Sequence, residues 1–189
     1  MRRDDVTALV LAGGRATRMG GVDKRALVVE GRTIFERQCE VLAPRVAEIV
    51  VSLAPGAAAV PGQRTVTDAI AGVGPLAGIA AGLAAVTTPW LFVVAGDMPY
   101  ISVALVERML AAVRDDVDAV GVRVAGLPEP LLCVLRVAAA RPAVERRLAA
   151  QRYKASGLLT DEGLRVAWLD ESDDRIVINL NAPEDLAPR

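Results

Sequence analysis

The chain has 189 residues, 53% apolar and 24% charged, with 22 basic against 23 acidic side chains and a formal charge of -1. That length suits one domain, or at most two small lobes sharing a core, and the charge balance lacks the basic excess of a generic nucleic-acid binder. Histidine is absent, which excludes Ser-His-Asp and Cys-His catalysis, histidine-ligated zinc and histidine general bases; carboxylates, Arg, Lys, amides, backbone groups and a hard metal such as magnesium remain.

Met1-Arg2-Arg3-Asp4-Asp5 runs into a short apolar stretch with no cleavage-site pattern behind it, so it reads as the approach to a first strand and not as a signal peptide. That strand, Val6–Leu11, has Thr7 as its only polar member, the pattern of a strand covered on both faces. A glycine-rich loop follows over residues 12–24. Residues 33–42 carry Ile34, Phe35, Gln38, Val41 and Leu42 at helical spacing. Glu48–Leu53 reads as a strand, residues 54–62 as a surface loop, and residues 65–67 as a short strand. Residues 76–86 are rich in Ala and Leu and read as a helix despite Gly78 and Gly82. Pro89 stops it, and Trp90–Ala95 is another buried strand. A helix is expected over 102–113 with Ser102 as its N-cap. The second half predicts strands at 118–124 and 131–135, a helix over 137–151, a strand at 164–169 and a last strand at 176–181 before a closing helical turn. Alternating strands and helices in the first 113 residues predict an α/β fold with a parallel sheet and helices on both faces. No apolar stretch reaches the roughly 20 residues of a membrane span. Cys39 and Cys133 stand alone in apolar stretches, which speaks against a disulfide framework and fits a reducing cytoplasm.

The strongest signal is the loop, Leu11-Ala12-Gly13-Gly14-Arg15-Ala16-Thr17-Arg18-Met19-Gly20-Gly21-Val22-Asp23-Lys24. It opens at the carboxyl end of the first strand, where open α/β sheets bind ligands. Gly13 and Gly14 let backbone amides approach a base or phosphate, while Arg18 and Lys24 bring positive charge to a polyphosphate. Neither a Walker A loop nor a dinucleotide fingerprint fits this spacing. Of the 22 basic residues, 20 are arginine and only Lys24 and Lys154 are lysine. A lysine kept against that bias suits a site that wants a compact ammonium, although a solvated loop position would also accept one.

Leu-Ala-Gly-Gly-x-x-x-Arg-Met-Gly-Gly-x-Asp-Lys resembles the molybdenum cofactor guanylyltransferase family, within the larger group of sugar-phosphate-like nucleotidyltransferases. Three more segments match in order: Gly74-Pro75-Leu76-Ala77-Gly78-Ile79; Gly96-Asp97-Met98-Pro99-Tyr100-Ile101; and Asn179-Leu180-Asn181-Ala182-Pro183-Glu184-Asp185-Leu186. The match is thin between residues 114 and 176. The resemblance implies a three-layer, mostly parallel Rossmann-like sheet of the nucleotidyltransferase type. It implies one domain, with residues up to about 113 taking the nucleotide and the remainder the acceptor. The implied reaction moves GMP from magnesium-bound GTP to the phosphate of molybdopterin cofactor and releases pyrophosphate. GTP and molybdopterin are then the partners, with transient contacts to proteins that deliver and receive the cofactor, and with neither nucleic acid nor membrane involved.

On this resemblance Leu11, Ala12, Gly13, Gly14, Lys24, Ser52, Asp68 and Asp97 are expected to contact the nucleotide. Lys24, Arg18 and Asp97 serve the transfer, and Asp97 holds Mg2+. Read from the residues alone, Asp97 closes a buried strand, which favours a metal role over a turn residue bonding its own backbone. Asp68 reads equally as a turn residue. Ser52 stands where the family carries Asn, and its shorter hydroxyl lacks the paired donor and acceptor of an amide. Asn179 and Asn181 would share one face of a strand and are expected to take the acceptor, although Asn181-Ala-Pro-Glu184 also reads as an N-cap. Arg141, Arg146, Arg147, Arg152 and Lys154 read as a solvated helix face, with a phosphorylated second substrate as the functional alternative. A related cytidylyltransferase, an enzyme for another phosphorylated acceptor, and a non-catalytic nucleotide-binding partner remain the competing functions.

Overall fold

The computed structural model describes residues 1–12, 27–68 and 73–178. The glycine-rich loop from Gly13 through Arg18 to Lys24, and the Asn179/Asn181 segment, lie outside the described residues.

After a short 3-10 turn at Arg3–Asp5 come β1 (Val6–Leu11), β2 (Val28–Val29), β3 (Arg32–Thr33), α1 (Ile34–Leu42), β4 (Glu48–Leu53), β5 (Arg64–Thr67), α2 (Pro75–Ala85), β6 (Trp90–Ala95), α3 (Val103–Ala111), β7 (Ala119–Val124), β8 (Leu127–Arg136), α4 (Val137–Ala149), α5 (Ser156–Thr160) and β9 (Val166–Glu171). Seven strands form one sheet in the order β5-β4-β1-β6-β8-β7-β9, while β2 and β3 pair as a separate hairpin. Six of the seven strands point the same way; β8 alone is antiparallel to its neighbours β6 and β7.

Strand alternation builds the layers. Val6, Ala8 and Val10 of β1, with Phe92 and Val94 of β6, face the side covered by α1 and α3 through Leu42, Leu105, Val106 and Met109. Leu9, Leu91 and Val93 face the other side, under Leu76, Ile79 and Leu83 of α2, Ala140 and Val144 of α4, and Leu158 and Leu159 of α5. Each fully buried Leu or Phe here contributes about 2 kcal/mol to folding by leaving water. Helix α2 lies close to the sheet because it carries glycine where it touches: a Cβ at Gly82 would stand 2.5 Å from a Leu9 methyl, and one at Gly78 would stand 2.6 Å from Ser52 Oγ. The two glycines that weaken its helix propensity thus allow its packing.

Local signals account for the helix starts. Thr33 and Glu36 form a reciprocal capping box at α1, and Ser102 Oγ accepts the Leu105 N–H at α3. Both two-residue hairpin turns take left-handed backbone at their two central positions, Glu30-Gly31 between β2 and β3 and Ala125-Gly126 between β7 and β8.

Some expectations need correction. Strand β8 begins at Leu127, four residues before the expected start: Pro128 lies where β8 pairs with β7 alone, and Pro130 falls where the β7–β8 register shifts, so both prolines sit in the strand. Strand β9 begins at Val166 and not 164. Residues 176–177 are not strand: Asp174–Val177 forms a 3-10 turn, capped by Asp173 accepting the Arg175 N–H, which buries Ile176 against the core. Arg147 does not lie on a solvated face. It is 2% exposed, pairs with Glu162 at 3.3 Å and donates to the Lys154 carbonyl at 2.7 Å, so its charge is used inside the fold. Arg141 likewise donates to the Leu83 carbonyl.

Candidate active site

The strand order reverses at β1, which has β4 and β5 on one side and β6 on the other. Open α/β sheets bind ligands at the carboxyl ends of the strands flanking such a switch point. Here those ends are Leu11–Ala12 and Ala95–Asp97. The two exits are locked together: the Gly96 N–H donates to the Leu11 carbonyl at 2.9 Å, and the Ala12 N–H donates to the Ser52 carbonyl at 2.9 Å. A Cβ at Gly96 would stand 3.0 Å from the Leu11 carbonyl oxygen, so glycine permits the close approach of the two strand ends. The unbroken apolar runs of β1 and β6 therefore deliver the start of the glycine-rich loop and Asp97 to one place.

Beside them, Asp68 follows β5, its N–H donating to the Leu53 carbonyl at 3.1 Å. Asp68 is 9% exposed, and Ser52 Oγ donates to its Oδ1 at 2.7 Å. Burial raises its carboxyl above the ordinary range, and the Ser52 hydroxyl draws it part of the way back. Ser52, the position at odds with the family's Asn, is thus buried against Asp68. Leu11, Ser52, Asp68 and Gly78 form one contact group, because a Cβ on Gly78 would meet side-chain atoms of all three others. Leu11, Ala12, Ser52, Asp68 and Asp97 are accordingly gathered at a single rim. Gly13, Gly14, Arg18, Lys24, Asn179 and Asn181 lie outside the described residues.

Two residues at this rim escaped the sequence reading. Gln38 of α1 is fully buried, and its Nε2 donates to the carbonyls of Ala95 at 2.8 Å and Met98 at 3.0 Å, bracketing Asp97. A polar residue at a core position of an amphipathic helix was its visible signal. Glu129 lies near the start of β8. Burial pushes its carboxyl up, the Leu131 N–H pulls it partly back, and the negative charge of Asp97 pushes it up again. Nothing in the local sequence marks Glu129, which reaches Asp97 only because β8 runs against β6.

A divalent cation fits this donor set. Two half-buried carboxylates that repel each other are hard oxygen donors of the kind magnesium takes. Among the described residues no cluster of three or more His, Cys, Asp or Glu comes together. Asp97 and Glu129 would supply one or two ligands, with phosphate oxygens and water among the others. Cys39 and Cys133 are free thiols; burial lifts Cys133 to about 12, which leaves it no part in chemistry. No helix of the described residues is long and apolar enough to cross a membrane.

Residues 8–166 match the family described as the MobA-like NTP transferase domain. A probable molybdenum cofactor guanylyltransferase of Opitutus terrae is 39% identical over 186 residues, covering 93% of this chain and 90% of that protein. A molybdenum cofactor guanylyltransferase of Pseudomonas putida is 34% identical over 189 residues, covering 97% of each. Among solved structures, molybdopterin-guanine dinucleotide biosynthesis protein A of Archaeoglobus fulgidus superposes with a TM-score of 0.71 at 24% identity, covering 95% of this chain and 94% of that one, a likeness of fold. With a mostly parallel sheet, a switch-point rim and full-length relatives agreeing, this chain belongs to the MobA-like NTP transferase family.

Proposed function

We propose that the protein transfers GMP from magnesium-bound GTP to the phosphate of molybdopterin cofactor, forming the guanine dinucleotide cofactor. An oxygen of the acceptor phosphate attacks the α-phosphorus of GTP, the bond from that phosphorus to the bridging oxygen breaks, and pyrophosphate leaves with the bond's electron pair. The acceptor oxygen is already anionic at neutral pH, so the lack of histidine removes nothing that the reaction needs. The protein must supply alignment and neutralisation of charge.

In this reading the backbone from Leu11 through Ala12 to Gly13 and Gly14 cradles the base and phosphates. Asp68, oriented by Ser52, accepts hydrogen bonds from the base. Lys24 and Arg18 bind the departing pyrophosphate. Asp97 would hold Mg2+, which when bound neutralises charge across the phosphate oxygens. Residues up to about 113 serve the nucleotide and the later ones the acceptor, with Asn179 and Asn181 on the acceptor side. The work is assigned to the cytoplasm, with brief contacts to the proteins that deliver and receive the cofactor.

The observation that carries this reading is the convergence of the β1 exit, the Ser52–Asp68 pair and Asp97 at the switch point of the sheet. The test is pyrophosphate release from each of the four nucleoside triphosphates, with and without magnesium and molybdopterin. Release is expected only with GTP, magnesium and acceptor together, and Asp97→Ala should abolish it. Release with CTP in preference to GTP would make the protein a cytidylyltransferase, and no release with any nucleotide would leave a binding role. Gly13→Ala should weaken GTP more than CTP if the missing Cβ makes room for the guanine amine.

A further inference from the structure

The β2–β3 hairpin stands apart from the seven-stranded sheet, so side chains and not a strand ladder set its place on the molecule. It is also where the chain returns from the glycine-rich loop, whose described neighbours are Ala12 and Leu27. Lys24 is three residues before Leu27 in the sequence, within about 11 Å of it by chain length alone. Whatever fixes the hairpin therefore limits where the lysine end of the loop can stand.

Two ties run from the hairpin to the turn after β6. The first is apolar: Leu27, Val29 and Ile34 form a small buried core apart from the two that cover the sheet, and Tyr100 packs against it. The second is polar. Arg37 of α1 donates from Nε to the Pro99 carbonyl at 3.1 Å and from Nη1 to the Glu30 carboxylate at 3.0 Å, with the Val29 carbonyl 3.5 Å from the same nitrogen. Its guanidinium carbon lies 5.8 Å from the centre of the Tyr100 ring. The pair with Glu30 is exposed on the carboxylate side and contributes little by itself. The bond to Pro99 is partly buried and joins residues 62 positions apart. Among the described residues no backbone hydrogen bond joins the hairpin to this turn, and no other side chain donates to both.

Residues 96–100 thus hold the chain on both sides of the loop. The Gly96 N–H donates to the Leu11 carbonyl where the loop departs. Pro99, through Arg37, and Tyr100 hold the hairpin where it returns. Asp97 lies between the two attachments. Resting on the guanylyl-transfer reading, which gives Lys24 and Arg18 to the phosphates and Asp97 to the metal, we infer that Arg37 is a positioning residue for the triphosphate. It clasps the returning end of the loop to the Asp97 turn, so that the cations of the one and the carboxylate of the other meet the same phosphates. A loop held at both ends gives up less conformational freedom when it closes on a ligand, and that saving is read as affinity. The base is served from Leu11, Ala12 and Asp68, beside the other attachment, so the effect of Arg37 falls on the β- and γ-phosphates.

The test is calorimetric titration of the parent, Arg37→Ala, Arg37→Lys and Glu30→Gln with Mg-GTP and with GMP. The parent should prefer Mg-GTP to GMP. Arg37→Ala should cut that preference about tenfold, the worth of one charge-assisted hydrogen bond, with the Kd for GMP within about twofold of the parent. A purely structural loss would weaken both ligands together. Arg37→Lys should not restore the preference, because an ammonium lacks the fork that reaches Pro99 and Glu30 at once. Glu30→Gln should stay within about twofold of the parent, because the bond to Pro99 survives it. An Arg37→Ala protein that keeps the parent's preference, or loses affinity for GMP and Mg-GTP in step, overturns the clasp and leaves guanylyl transfer untouched. A parent that binds GMP as tightly as Mg-GTP overturns the clasp as well. Loss of the preference in Arg37→Ala, from a parent that releases no pyrophosphate, overturns guanylyl transfer and leaves the clasp standing.

Discussion

Gln38 on α1 and Met98 beyond β6 are joined by a buried hydrogen bond of 3.0 Å, and the same amide also reaches the Ala95 carbonyl. The turn that presents Asp97 is therefore gripped on both sides by one side chain from another layer. Its own Oε1 is buried without a hydrogen-bond partner among the described residues, so the amide sits there at some cost. Replacing it with Leu fills the space but takes the amide donor from the Met98 carbonyl and leaves the Ala95 carbonyl with the Met98 N–H at 3.3 Å. We expect Gln38→Leu to lose about 2 kcal/mol of stability in urea unfolding and to lower kcat much more than GTP affinity. Unchanged kcat in a folded Gln38→Leu protein would remove the residue from its positioning role.

Asp68 sets stability against function. Burial holds its folded-state carboxyl above its unfolded value, so its contribution is favourable at low pH and is lost as pH rises through the folded pKa. At neutral pH the charge is present and costs stability. Asp68→Asn keeps an acceptor for Ser52 Oγ while removing that charge. The variant should melt higher at pH 7.5, with the advantage shrinking on acidification, and should bind GTP about ten- to a hundredfold more weakly. Calorimetry across pH and GTP titration check the two halves separately.

The sheet's far edge depends on pH with the opposite sign. Asp118 accepts from Arg165 Nε and Nη2, both at 2.8 Å, and from the Arg165 N–H at 3.1 Å, which holds its carboxyl down at about 2. A depressed carboxyl contributes stability above its unfolded value near 3.8 and loses it as pH falls toward 2. Because Arg165 is largely exposed, the contribution is on the order of 1 kcal/mol. The difference in melting temperature between the parent and Asp118→Asn should be constant at pH 5–7 and close between pH 4 and pH 2.

Ala125 occupies left-handed backbone at φ 50° in the β7–β8 turn, followed by Gly126 at φ 78°. A β-methyl is disfavoured there, and Asn or Gly would relieve it. Ala125→Asn should stabilise the protein by about 0.5–1 kcal/mol, read as a higher denaturation midpoint with an unchanged slope.

The reach of the sequence reading has physical limits. Strands β1, β4 and β6 were legible to the residue, because parallel strands covered on both faces need unbroken apolar runs. The caps at Thr33–Glu36 and Ser102 lie within one helical turn, so Ser102 announced its helix directly. What was misread depends on distant partners. Arg147 looks like a surface arginine until Glu162, fifteen positions later, comes to meet it. Strand β8 hid behind Pro128 and Pro130, which the strand tolerates because β6 does not pair with its first residues and its register with β7 shifts beside Pro130. Leu11, Ala12, Ser52, Asp68 and Asp97 were named from sequence, whereas Gln38 and Glu129 reach the rim through helix docking and strand reversal.

Strand β8 begins where its neighbours end. That single inversion puts a hairpin, with its freedom to change length and composition, onto an edge otherwise made of strand exits that the core holds in place. Variation in the hairpin can reshape that stretch of the edge while β1, β4 and β6 keep their register, so one sheet joins a fixed set of strand exits to an adaptable neighbour.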